Sequence, residues 1–151
     1  QLQATSEAFA AILEDGSVVT WGAADKGGDS SAVQDQLKGV QQIQATSGAF
    51  AAILEDESVV TWGYKYFGGD SSAVQDQLKG VKQIQASHCA FAAILADQSV
   101  VTWGKADHGG DSSAIQHELR FVSQKSPTGP TERTPQPEYL IALEAYLGVR
   151  W

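Results

Sequence analysis

The chain has 151 residues, 42% hydrophobic and 19% charged, with a formal net charge of -8. That composition belongs to a chain that folds rather than a disordered one. No apolar run approaches the roughly 20 residues that span a bilayer as a helix, and an acidic excess disfavours a phosphate backbone as partner. One cysteine, Cys89, excludes an internal disulfide framework. From Ser123 onward, Lys125, Arg133 and Arg150 balance Glu132, Glu138 and Glu144, so the acidic excess lies in residues 1–122. There is no Met, and the sequence opens inside a repeat. The chain is therefore expected to be a processed, trimmed or incomplete product, with any targeting segment outside it.

The organising feature is a tandem repeat. Trp21-Gly22, Trp62-Gly63 and Trp103-Gly104 follow one another at intervals of 41 residues, and Gly27-Gly28-Asp29-Ser30-Ser31 recurs in the same register as Gly68 to Ser72 and Gly109 to Ser113. A period of this length implies stacked supersecondary units. The copies run over about 2–41, 43–82 and 84–122. In the middle copy the elements come in the order strand, strand, turn, strand. Val40-Gln41-Gln42-Ile43-Gln44-Ala45 alternates as a half-buried strand does, and Ala49-Phe50-Ala51-Ala52-Ile53-Leu54 is a small apolar run suited to a central strand. Val59-Val60-Thr61-Trp62 is β-branched and aromatic. The turn between the last two is Glu55-Asp56-Glu57-Ser58, whose counterpart Glu14-Asp15-Gly16-Ser17 carries the Asp-Gly hairpin signal. A polar, Gly-rich loop then leads into the next copy. The Gly-Gly-Asp-Ser-Ser loops could offer oxygen ligands to calcium, but each supplies one carboxylate, and a structural role for Gly turns and local Asp and Ser bonds is preferred.

The predicted class is all-β: an array of propeller-like three-stranded blades forming a partial β-propeller. A threefold β-prism or β-trefoil is the alternative for three units of this size. Both ends of an open array should show apolar side chains, at Leu2 and Phe9 on one end and at Ile84 and Phe91 on the other, unless the tail or another chain covers them.

The stretch from Ile43 to Gly63 resembles the RCC1-type (regulator of chromosome condensation) repeat, most closely in Glu14-Asp15-Gly16-Ser17-Val18-Val19-Thr20-Trp21-Gly22. The resemblance covers all three copies and looks like a compact, three-stranded-blade variant. It implies a β-propeller fold, seven-bladed in the family, and roles in exchange-factor, ubiquitin-ligase and receptor contexts. Thr5, Thr46 and Ser87 stand where the family usually has Gly, and Ala8, Ala49 and Ala90 where it usually has His. Gly-Gly-Asp-Ser replaces the family's Gly-Gln-Leu-Gly loop, so no specific partner carries over.

The copies differ most just after Trp-Gly: Ala23-Ala24-Asp25-Lys26, then Tyr64-Lys65-Tyr66-Phe67, then Lys105-Ala106-Asp107-His108. A second variable spot is Ser6-Glu7, Ser47-Gly48 and His88-Cys89. In a meander the first connection and the exit of the third strand share one end, so both sets map to one loop face. That face is either a diversified binding surface, with Ala23, Asp25, Lys26, Tyr64, Lys65, Tyr66, Phe67, Lys105, Asp107 and His108 as its contact residues, or unrestrained loop drift. Tyr64, Tyr66 and Phe67 are the sharpest feature, as interface anchors or as packing against a neighbouring blade. His88, Cys89 and His108 could share an end and approach a zinc site, but their spacing matches no metal motif, and no metal or other cofactor is assigned. No catalytic constellation is visible: there is no nucleophile elbow and no recurrent His.

All four prolines fall between Pro127 and Pro137, which makes residues 123–138 an extended linker. Residues 139–151 form a short helical tail, with the helix running from Glu138 to Leu147 and Leu140, Leu143, Leu147 and Trp151 available to dock on the blades or a partner. The sequence thus points to a protein-binding or scaffold module and not an enzyme. A structural accessory subunit of a large assembly and a lectin-like carbohydrate binder are the alternatives. The expected partners are proteins, within a large complex or through self-association, and not nucleic acid.

Overall fold

The computed structural model describes residues 1–119. They form nine strands in three antiparallel sheets of three: β1 (Leu2–Ala4), β2 (Ala8–Ile12) and β3 (Val18–Gly22); β4 (Val40–Ala45), β5 (Ala49–Leu54) and β6 (Val59–Gly63); β7 (Val81–Ala86), β8 (Ala90–Leu95) and β9 (Val100–Gly104). Each sheet is one copy of the repeat folded as a meander, with the Ala-rich segment in the centre. The second and third strands meet with Trp opposite Phe, as in Phe50 and Trp62, and the two rings lie 5.2 Å apart. The hairpin between them is closed by its aspartate. Asp15 Oδ1 accepts the Ser17 backbone N–H at 3.0 Å and the Ser17 hydroxyl, and the same pair recurs at Asp56 with Ser58 and Asp97 with Ser99.

The blades stack in chain order, and their packing has a direction. Side chains alternate across a strand, so each blade has a bulky face and a small-residue face. Ile43, Phe50, Val60 and Trp62 of the second blade pack against Ala8, Ala10 and Val18 of the first, with Ile12 at the edge. The third blade repeats the arrangement, setting Ile84, Phe91, Val101 and Trp103 on Ala49, Ala51, Ile53 and Val59 of the second. Leu37 from the connecting segment and Val40 at the start of β4 seal the first junction, as Leu78 and Val81 at the start of β7 seal the next. The first strand of each later blade lies against the first two strands of the blade before it, β4 against β1 and β2 and β7 against β4 and β5.

The arc excludes the threefold alternative. A β-prism or β-trefoil gathers its sheets around one shared core, whereas these blades have two separate cores, one per junction. The sequence expectation about the open ends needs a correction. Leu2, Phe9, Val19 and Trp21 are indeed 59, 42, 44 and 47% exposed, but Ile84 and Phe91 are 0 and 1% exposed. The bulky face always points to the preceding blade, so only the first blade shows it bare. The third blade instead presents its small-residue face, with Ala92, Ile94 and Val100 partly exposed. The one α-helix among the described residues is the single turn α1 (Gln116–Leu119). The helical tail, with Leu140, Leu143, Leu147 and Trp151, lies outside the described residues, as does the whole Pro-rich linker.

Candidate functional site

The two variable sets meet at one end of the arc, opposite the Asp-Ser hairpins. The residue after each Trp-Gly donates its backbone N–H to the turn between the first two strands: Ala23 to the Glu7 carbonyl at 2.9 Å, Tyr64 to Gly48 at 2.8 Å and Lys105 to Cys89 at 2.9 Å. The hydroxyl at the start of that turn reaches the far end of the same exit loop. Thr5 donates to the Lys26 carbonyl at 2.9 Å, Thr46 to Phe67 at 2.9 Å and Ser87 to His108 at 2.6 Å. A hydroxyl residue at this position therefore holds the variable loop to the blade. Below it, Thr20 contacts the Ser30 hydroxyl at 2.9 Å, Ser30 donates to Gln34 Oε1 at 2.8 Å, and Gln34 Nε2 donates to the Val18 carbonyl at 2.9 Å. Asp29 accepts the Ser31 N–H at 2.9 Å. The Ser31 hydroxyl, then that N–H, hold the Asp29 carboxyl below its ordinary value. These contacts give the Gly-Gly-Asp-Ser-Ser segment its structural role.

On this scaffold the middle blade carries an aromatic cluster. Tyr64 meets Phe67 edge-on at 4.8 Å and Tyr66 at 5.5 Å. Lys26 crosses from the first blade and sets its Nζ 4.2 Å from the centre of the Tyr64 ring and 5.6 Å from that of Phe67. Lys65 stands 4.8 Å from the Tyr66 ring. Such contacts keep a lysine charge beside an aromatic face with modest gain, about 0.5–1 kcal/mol at an exposed site. Tyr66 is 59% exposed, whereas Tyr64 and Phe67 are half-buried. The cluster sits on the loop end and is not part of either inter-blade core. Next to it a cleft of about 690 Å3 opens between the exit loop and β9, lined by Tyr66, Phe67, Trp103, Lys65 and Lys105.

Ala23 and Asp25 belong to the equivalent loop of the first blade and add no aromatic surface. In the third blade Lys105 lies 3.9 Å from Asp107, and His108 Nδ1 lies 2.8 Å from the same carboxylate. The His108 bond, with smaller help from Lys105, lowers the Asp107 pKa. The His88 and His108 rings stand 6.3 Å apart, while Cys89 is buried with Sγ 3.9 Å from the Ser47 hydroxyl. Among the described residues no group of three His, Cys, Asp or Glu side chains is arranged to hold a metal ion, and no helix is long and apolar enough to cross a membrane.

Two relationships among residues already singled out in the sequence escape a reading of it. Lys26 is 38 positions from Tyr64, and only stacking brings them together. Gly48 matters because a Cβ there would stand 3.1 Å from Phe67 and 3.2 Å from Tyr64. The signal available was co-occurrence: the copy with the aromatic loop is the one with Gly at this place, where the others have Glu7 and Cys89.

No family model matches the chain, and no curated protein is similar enough in sequence to be matched. Solved structures do resemble it. Prp20p of Saccharomyces cerevisiae, described with its binding properties to Gsp1p and histones, superposes with a TM-score of 0.52 at 20% identity over 71% of this chain and 31% of its own. Yeast RCC1 (Prp20) bound to Kap60 gives 0.51 at 19% over 69% and 29%. Human WBSCR16 gives 0.50 at 18% over 69% and 32%. The chain thus spans about a third of the length of each. The likeness is one of fold, and the fold of the described residues is three successive blades of an RCC1-like β-propeller.

Proposed function

We propose that the chain is a protein-binding module that uses its variable loop face, with Tyr64, Lys65, Tyr66 and Phe67 as the central contacts and Lys26 and Lys105 at the edges. The observation that carries this reading is the confinement of a partly exposed aromatic and lysine cluster to one loop of three otherwise near-identical blades. Exposed aromatics on a rigid scaffold are the usual anchors of protein interfaces, and the three lysines suit a partner segment bearing carboxylates. The fold supports the same reading, since solved proteins with it are described bound to Kap60 or with binding to Gsp1p and histones. A second reading, a structural accessory subunit of a larger assembly, draws support from the bare apolar face of the first blade.

The test is affinity capture from the source cell, comparing the wild type with a Tyr64→Ser, Tyr66→Ser, Phe67→Ser variant. Proteins retained by the wild type and lost by the variant, with matching circular-dichroism melts, are expected. An anchor of this kind is worth on the order of 2 kcal/mol. Unfolding of the variant, or an unchanged set of captured proteins, would reject the loop face as the binding surface.

A further inference from the structure

We propose that the open edge of β9 takes an extended segment of a partner protein as a fourth strand, with an apolar side chain of that segment on Tyr66 and Phe67 and a neighbouring carboxylate at Lys65 and Lys105. This rests on the loop-face reading and deepens it by naming the form and chemistry of the partner. The third strand of each blade is the edge of its sheet, and β9 is one such edge. Bonds at its two ends fix which groups point outward. The Leu95 N–H donates to the Ser99 carbonyl and the Lys105 N–H to the Cys89 carbonyl, each at 2.9 Å. Between those bonded pairs, Val101 and Trp103 turn their backbone groups to β8, while Val100 and Thr102 turn theirs outward. The Val100 carbonyl accordingly accepts a bond from Gln116 Nε2 at 3.1 Å. The Thr102 hydroxyl is held by the Gly110 carbonyl at 3.2 Å and the Ser112 hydroxyl at 2.7 Å, but no described residue bonds the Thr102 backbone N–H or C=O. Free backbone groups on an edge strand are a template for strand addition.

The space beside this edge is a continuous groove. The cleft of about 690 Å3 at Tyr66 and Phe67 runs into a second of about 430 Å3, and Val74, Thr102 and Gly110 line both. Together they follow all five residues of β9, a run of about 16 Å at ~3.3 Å per residue. The opposite wall is the segment that leaves the second blade, with Val74 and Gln77. A blade stacked on the following side does not close such a groove. β6 has a blade on each side and keeps one of about 440 Å3, bounded by Thr61 and by Val33 and Gln36 of the first blade. The groove at β6 has no aromatic wall, because Asp25 and Lys26 stand where Tyr66 and Phe67 do. The groove at β9 also has a charge direction. Lys65 and Lys105 line its Tyr66 end, where the one carboxylate, Asp70, accepts the Ser72 N–H at 3.0 Å. The Gln116 end has Asp111 as its charged residue. In a chain of net charge -8, a carboxylate on the incoming segment is therefore favoured at the Tyr66 end. Side chains alternate across an added strand, so one can lie on the rings while the backbone pairs with Thr102.

The test selects short random peptides displayed on phage against the full 151-residue chain and measures the enriched peptides, labelled with fluorescein, by fluorescence polarisation. They should carry Asp or Glu close to an aromatic or branched aliphatic residue. N-methylation of alternate peptide residues should raise Kd roughly tenfold or more, and N-methylation of the residues between them should change it little, as for a strand bonded along one edge. Gln77 is exposed in the groove wall, away from the aromatic loop, and Gln77→Trp should weaken the same peptides roughly tenfold or more by filling the groove. A Lys65→Glu, Lys105→Glu variant should weaken the acidic peptides and have little effect on their Asn and Gln counterparts. Should Gln77→Trp fail to fold, the N-methylated peptides decide, because they leave the protein untouched. Enrichment of no peptide, or of peptides indifferent to the position of N-methylation, overturns strand addition. Failure of this proposal is distinct from failure of the loop-face reading. Proteins captured by the wild type and by Gln77→Trp, but lost by the Tyr64→Ser, Tyr66→Ser, Phe67→Ser variant, would keep the loop face and reject the added strand.

Discussion

One residue type in three settings shows what the stacking contributes. Trp21, Trp62 and Trp103 occupy the same place in their repeats, yet Trp62 and Trp103 are each 4% exposed and Trp21 is open on the first blade. We predict that Trp62→Ala lowers stability by about 3–5 kcal/mol, the usual cost of emptying a large aromatic site in a core. Trp21→Ala should cost less than about 1 kcal/mol, as expected for a half-exposed position. Urea unfolding followed by tryptophan fluorescence separates the two, and equal losses would mean that Trp21 is buried in the isolated chain. A second residue-scale effect sits in the hairpin turns. The position held by Gly16 at φ +79 is taken by Glu57 at +66 and Gln98 at +72, a left-handed conformation that disfavours a side chain. Gln98 is exposed, so Gln98→Gly should stabilise the chain by about 0.5–1 kcal/mol, offset in part by unfolded-state entropy. A drop in the melting temperature of that variant would contradict the backbone argument.

At the scale of the element, the hairpin is a device used three times, and its carboxylates set an acid limit. Asp15, Asp56 and Asp97 each have a lowered pKa, caused first by the hydroxyl and then by the backbone N–H of Ser17, Ser58 and Ser99. Asp29, Asp70 and Asp111 are lowered in the same way by Ser31, Ser72 and Ser113. A carboxyl whose folded pKa is depressed contributes stability above its unfolded value, and that stability is lost as pH falls through the folded value. The melting temperature should therefore be level above about pH 4, near the unfolded Asp value, and fall below it. Replacing Asp15, Asp56 and Asp97 together by Asn should flatten the descent while leaving the Asn side chains able to accept the same bonds. A melting curve equally steep in the triple variant would place the acid sensitivity elsewhere. The strands themselves were legible in the sequence: β4, β5 and β6 fall where alternation, small apolar residues and β-branched residues placed them. What was not legible is the direction of each sheet's two faces. Ala49-Phe50-Ala51-Ala52-Ile53-Leu54 looks like one continuous buried run, and that is true of the middle blade alone. Only the stacking order shows that Phe50 faces backward and Ala49 forward.

At the scale of the whole molecule, the number and kind of units could be read from the period of the repeat, but the asymmetry of the ends could not, because near-identical copies hide which face is left over. The loop face was legible as variable, whereas its meeting with Lys26 depended on the junction. Charge gives a test that spans these levels. The chain carries a formal net charge of -8, yet Lys26, Lys65 and Lys105 gather at the loop face, where they would attract a carboxylate-bearing partner. Salt shortens the reach of such attraction from about 10 Å at 0.1 M to about 3 Å at 1 M and leaves the burial of aromatic rings in place. Partner retention at the loop face should therefore fall as sodium chloride is raised. Retention that stays level or rises across the salt series would show that the lysines add nothing to the contact and that Tyr64, Tyr66 and Phe67 carry it alone.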